Sequence, residues 1–159
     1  MAESHKIEVL LKTIDRHWAQ AKQSEDQRAS MTNYLLTIYG ASQAYIIQKD
    51  FNKPSLIIAF IIIILAIYGM VVTYKYYERF RSHAAIVGTL MDSLDSINTG
   101  INLDQIEKAA KTKHEAKFPH FHKIRLYTIW LTLHGFFVIL GIANIVVIIL
   151  KNYYCITIF

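Results

Sequence analysis

Six cations punctuate the stretch between residues 108 and 125: Lys108, Lys111, Lys113, Lys117, Lys123 and Arg125, with His114, Phe118, His120, Phe121 and His122 set among them. Ammonium and guanidinium groups neutralise phosphates, and aromatic rings stack on bases or settle among lipid head groups. The chemistry on offer is phosphate binding, either on the anionic lipid of a membrane surface or on a nucleotide or oligonucleotide ligand. A metal is not expected, because no carboxylate or thiol completes a recognisable ligand set around His114, His120 and His122.

A second pattern lies upstream. In the uncharged residues 31–48, Asn33, Thr37, Gly40, Ala44 and Gln48 fall within about eighty degrees of one another on a helix. This gives a continuous stripe of small and polar side chains, and Gly40-x-x-x-Ala44 permits close backbone approach. Such a stripe either packs against the chain's own helices or lines a pore shared by several copies, where amides and hydroxyls hydrogen-bond water and ions without a buried charge. A third set, His134 and Asn144, sits in an apolar run. His134 is a candidate for gating, since imidazole changes charge near neutral pH, and a neutral ring hydrogen-bonded to a neighbouring helix is the structural alternative.

Catalytic motifs are absent. The chain has no GxSxG elbow, no GxxxxGK(S/T) loop, no HExxH and no GxGxxG, and its six glycines leave little material for a phosphate-cradling loop. The chain is expected to be noncatalytic and to carry no cofactor.

The elements that must position these residues are membrane helices. Residues 55–74 and 126–150 contain no Asp, Glu, Lys or Arg, and as helices each is long enough to cross roughly 30 Å of hydrocarbon. The composition agrees, with 53% hydrophobic residues, 18% charged and a mean hydropathy of +0.27. The first thirty residues carry Glu3, Glu8, Asp15, Glu25 and Asp26 and contain no apolar core of a signal peptide, so the spans themselves are expected to direct insertion. The single cysteine, Cys155, excludes an intrachain disulfide.

Charge decides how many spans to expect. With two spans, basic residues divide eight against nine and orient nothing. With a further span over 31–48, fourteen face three, so the N-terminus and the 76–125 connector are expected in the cytoplasm. The predicted architecture is an all-α membrane protein with three transmembrane helices, the first two a hairpin, and amphipathic cytoplasmic helices. Residues 1–30 form a cytoplasmic helix, 31–75 the hairpin, 76–125 a helical connector, 126–150 the third span and 151–159 a short tail.

Local signals refine that layout. Ile7, Leu10, Leu11, Ile14 and Trp18 share one helical stripe, and Ile86, Leu90, Leu94 and Ile97 continue a helix beyond the second span. Asn98-Thr99-Gly100 should stop it, Asn102 should cap a short helix running to about Lys113, and Pro119 should break the chain before the third span. Apolar stripes in excess of what one thin chain can cover predict self-association.

The run through residues 20–44, where Asp26-Gln27-Arg28 leads by way of Met31 and Asn33 into a polar first span, resembles the SLATT-like small membrane effectors of bacterial anti-phage defence. Their relatives include the channel component of Hailong-type systems. The resemblance covers residues 7–97 and lies in the architecture, an amphipathic helix followed by a close hairpin and a helix prolonging its second span. The third span departs from the simplest pattern. The likeness implies an oligomeric pore in the bacterial inner membrane, closed until infection and then depolarising the cell. In the Hailong-type case an oligonucleotide made by a partner nucleotidyltransferase enzyme keeps it shut.

The expected function is therefore a homo-oligomeric, multi-pass inner-membrane ion channel or pore-forming effector, gated through its cytoplasmic region. The alternative is a noncatalytic membrane anchor or assembly subunit recruiting a partner through residues 76–125.

Overall fold

Proline stands only at positions 54 and 119, and the long proline-free runs on either side allow few and long elements. The computed structural model describes residues 2–97 and 102–154. Among them are four α-helices, α1 (Ala2–Gln48), α2 (Ser55–Ile97), α3 (Leu103–Lys117) and α4 (Leu126–Tyr153), a single 3-10 turn (Phe121–Lys123) and no strand. The protein is thus all-helical, and α2 and α4 are long and apolar enough to cross a membrane. The expected stop at Asn98-Thr99-Gly100, like Cys155, lies outside the described residues.

Contacts divide the chain into two units. One combines Met1–Gln27 with Tyr76–Arg125, and the other Arg28–Lys75 with Leu126–Phe159. The second is a three-helix packing whose inward faces follow alternating steps of three and four residues. On α2 the buried seam is Ser55, Ala59, Ile62, Ala66, Gly69 and Thr73, mostly small side chains. On α4 it is His134, Gly141, Asn144 and Ile148. From α1, Thr32, Leu35, Tyr39 and Ile46 turn inward.

Small residues let the backbones close on one another. A Cβ added at Gly141 would stand 2.5 Å from Ile63 Cγ1 and 3.3 Å from the Ala59 carbonyl oxygen, so α2 and α4 touch there almost backbone to backbone. Outward, the same helices show Ile57, Ile64, Val71 and Ile139, each more than 60% exposed. Side chains of that kind are stable at such a surface only in an apolar solvent or under cover.

The turn joining α1 to α2 is tight. Asp50 and Phe51 both adopt φ 51°, the left-handed region that non-glycine residues enter at a cost. α4 holds them there: the Asn152 amide donates to the Phe51 carbonyl at 2.7 Å, and Lys151 Nζ reaches the Asp50 carbonyl at 3.0 Å. Asn52 then receives the Ser55 backbone N–H and hydroxyl on its side-chain oxygen, capping α2 directly after Pro54.

The other unit packs the start of α1 and the end of α2 with α3 more thinly. Among its described residues only Ala21, Ser24 and Val87 are buried, Ile7, Leu10 and Ile14 are half-buried, and Leu11 and Trp18 remain exposed. Asn102 caps α3 as expected, its side chain accepting from Gln105 N–H at 2.8 Å, and the helix continues to Lys117, one turn beyond the predicted end. Asp95 steadies its start by accepting the Leu103 N–H at 2.8 Å. An open groove of about 460 Å³ runs between α1, α2 and α3, with Ile14, Trp18, Val87, Gly88, Met91 and Glu107 among its lining.

Candidate functional site

The polar residues of the three-helix unit fall into two groups with opposite fates. Of those facing inward, Tyr39, Gln43, His134 and Asn144 meet partners on another helix. Gln43 and Asn144 exchange amide hydrogen bonds, the Asn144 N–H₂ donating at 2.7 Å and the Gln43 N–H₂ returning at 3.3 Å. His134 is fully buried, with Nδ1 at 3.4 Å from the Tyr39 hydroxyl oxygen, while its Nε2 has no partner among the described residues. Its ring fits only because residue 69 is glycine: a Cβ there would lie 2.6 Å from both Cε1 and Nδ1, and 2.9 Å from Leu35 Cδ1. α1, α2 and α4 therefore converge on one imidazole. Of the sequence candidates, His134 is placed where any sliding or rotation among these helices must disturb it.

The register of those contacts fixes direction. Tyr39 meets His134, Gln43 meets Asn144, and Asp50 meets Lys151, so α1 and α4 run the same way. α2 opposes both, with Gly69 against His134 and Ala59 against Gly141. Residues 31–48 thus lie alongside the apolar stretches of α2 and α4 rather than beyond their ends.

The outward group is the sequence-predicted stripe. Asn33, Thr37, Gly40, Ala44 and Gln48 are all exposed, on the face of α1 opposite Leu35, Tyr39 and Ile46. Within the chain, the apolar positions and Gln43 of α1 turn toward α2 and α4, and the stripe faces away from them. Nothing stands within 4 Å of a Cβ built at Gly40. The Thr37 hydroxyl folds back on the Asn33 carbonyl at 3.0 Å, and the Asn33 and Gln48 amides make no side-chain hydrogen bond among the described residues.

The six cations also separate. Lys108 is tied to Asp104 at 2.6 Å, and that carboxylate, by hydrogen bond and charge, holds the Lys108 ammonium above its usual range. Lys111 faces Glu115 at 4.0 Å. Lys113, Lys117, Lys123 and Arg125 meet no carboxylate among the described residues, and Lys117 lies 5.5 Å from the centre of the Phe118 ring. The histidines hold the backbone and rings rather than one another: His114 packs on Phe118 at 5.1 Å, and His122 Nδ1 sits 2.8 Å from the Phe118 carbonyl oxygen. No group of three metal-ligating side chains occurs among the described residues.

Sequence reasoning missed the seam of α2 and its partners Tyr39, Gln43 and Gly141. The signal was present as small residues, Ser55, Ala59, Ala66, Gly69 and Thr73, recurring every three or four positions inside an apolar run. It also missed a contact in the other unit, where His17 and His83 meet with their Nδ1 atoms 3.1 Å apart. Fold and site together define an all-helical protein, two of whose helices could cross a membrane, with a polar seam inside its three-helix unit. The chain matches no family model, no curated protein and no solved structure.

Proposed function

We propose that this protein is a homo-oligomeric, three-span membrane channel in which the exposed stripe of α1 meets its counterparts around a shared conduit. The observation that carries the reading is the pair of faces on α1. One is locked to α4 through Gln43 and Asn144, and the opposite one presents the unpartnered amides of Asn33 and Gln48. If α2 and α4 cross a bilayer, residues 31–48 cross beside them, and amides facing hydrocarbon are costly unless they meet another protein surface or water. Copies arranged about a common axis supply both. The absence of Asp, Glu, Lys and Arg from residues 31–48 makes the conduit weakly selective, and the Tyr39–His134–Gly69 junction is where a gating motion would act.

In this reading the N-terminus and residues 76–125 are cytoplasmic, α1 and α4 run outward, and the host membrane is the bacterial inner membrane. A defence role, with a nucleotide or oligonucleotide made by a partner enzyme as the gating ligand, belongs to the proposal through the resemblance of residues 7–97. Purified protein in liposomes should pass small ions, and Asn33→Leu should reduce the flux while leaving helicity intact. In a Cys155→Ser background, Ala44→Cys should cross-link between copies. Liposomes that stay tight with every ligand tried, together with a monomeric protein, would turn the reading toward a membrane anchor. Single cysteines at Lys49 and Asp104, both exposed, should label from opposite sides of the membrane, and labelling from one side refutes the three-span topology.

A further inference from the structure

We propose that residues 117–125 form an interfacial anchor, with Phe121 and Ile124 immersed among the head groups of an anionic leaflet and Lys117, Lys123 and Arg125 on its phosphates. The proposal rests on the reading that α4 crosses a bilayer. Pro119 ends the preceding helix: it lacks an N–H, and it disfavours helical geometry at Phe118. The chain leaves α3 with Phe118 N–H bonded to the His114 carbonyl at 3.0 Å and makes the single 3-10 turn that turns Phe121 outward. Phe121 is 75% exposed and Ile124 53%.

Two large apolar side chains displayed in water are unfavourable, and here they stand among cations that meet no carboxylate among the described residues. Glu115 is the last acidic residue of the chain. One residue after Arg125, α4 begins with the apolar run long enough to cross a membrane. Charge and exposed aromatic surface thus occur together at the place where a chain entering a membrane meets its head groups. A nucleic acid fits less well. Phe118 already carries His114 and Lys117 on its ring, which leaves Phe121 as the free phenyl ring, and Ile124 beside it has no π-face to stack on a base.

Tryptophan reporters test this in the full-length protein with Trp18 and Trp130 replaced by Phe. Phe121→Trp reports the anchor and Phe136→Trp, at an exposed position of α4, reports the span. Both variants are reconstituted in phosphatidylcholine vesicles with and without phosphatidylglycerol, each with shallow or deep spin-labelled lipid. The tryptophan at 121 should emit to the blue and be quenched by the shallow label. Anionic lipid should strengthen that quenching, and high salt or the pair Lys123→Gln and Arg125→Gln should weaken it, while the tryptophan at 136 responds to the deep label throughout.

A tryptophan at 121 that emits as in water while the one at 136 is quenched overturns the anchor and leaves the span standing. Loss of quenching at both removes the span and the anchor with it. Equal quenching with and without phosphatidylglycerol overturns the phosphate contacts. Protection of position 121 by an added oligonucleotide assigns the segment to nucleic acid and overturns the proposal.

Discussion

In the unit formed by residues 28–75 and 126–154, amides, a phenol and an imidazole lie inside while isoleucines and valines face out. In the unit formed by residues 2–27 and 76–125, most charged side chains of the protein lie on the outside beside exposed apolar ones such as Trp18 and Ile106, and the little that is buried among the described residues is Ala21, Ser24 and Val87. The first arrangement suits an apolar solvent, where helices gain nothing by burying leucine and are joined instead by close backbone approach and interhelical hydrogen bonds. The second suits water, where apolar contact itself drives association. One chain obeys two different packing rules, and the division falls within α1, within α2 and again at the start of α4.

Glycine exposes the contrast most sharply. Gly69 and Gly88 both lie in α2, yet a Cβ at Gly69 collides with His134 and Leu35, whereas one at Gly88 meets nothing within 4 Å. Gly69→Ala should therefore destabilise the protein by about 1–3 kcal/mol, the usual range for overpacking a well-filled interior. Gly88→Ala should be neutral or stabilise by up to about 1 kcal/mol through helix propensity alone. Thermal unfolding in detergent, followed by circular dichroism, reads both. Equal tolerance of the two changes would mean that the close approach of α2 to α4 is not what holds the unit together.

The buried amide pair gives the next effect. Asn144→Leu removes one partner and leaves Gln43 facing an apolar wall, and interhelical hydrogen bonds of this kind are worth about 0.6–1.7 kcal/mol in membrane proteins. The double change with Gln43→Leu should cost less than the sum of the single ones, because it leaves no orphaned amide. Strict additivity in that cycle would show that the two residues do not act together.

How much of this was legible in the sequence depends on which forces set each feature. The apolar runs of α2 and α4, the cap at Asn102 and the break at Pro119 are local properties of composition and backbone chemistry, and the structure has them where they were expected. The stripe from Asn33 to Gln48 was also legible as a stripe. Its direction was not, because periodicity says which residues share a face but not which face a neighbouring helix occupies. Leu35, Tyr39 and Ile46 form an equally regular stripe on the other side, and only contact with α2 and α4 decides between them. The six cations looked like one patch because the pairing of Lys108 with Asp104, one helical turn away, depends on rotamers that charge counting ignores.

That pair makes the smallest and most specific prediction. Lys108 and Asp104 stand one turn apart on the exposed surface of α3, with side chains 75% and 57% exposed. Exposed pairs at this spacing add little to stability and are screened by salt. Their signature is in titration. Because Asp104 raises the Lys108 pKa above its ordinary value of 10.5, the contribution of the lysine's protonation is fully present below that pH and is lost as pH rises through the raised value. Nuclear magnetic resonance of the lysine side-chain carbons should show Lys108 titrating above the unpaired lysines, and Asp104→Asn should bring it down to join them. Lys151 in the other unit is 30% exposed, its partner Asp50 is 83% exposed, and the ammonium also donates to the Asp50 carbonyl, so that pair should weaken less with rising salt than the Lys108 pair. If both pairs respond alike to salt, the two surfaces do not differ in their access to water, and the contrast between the units fails at its charged edge.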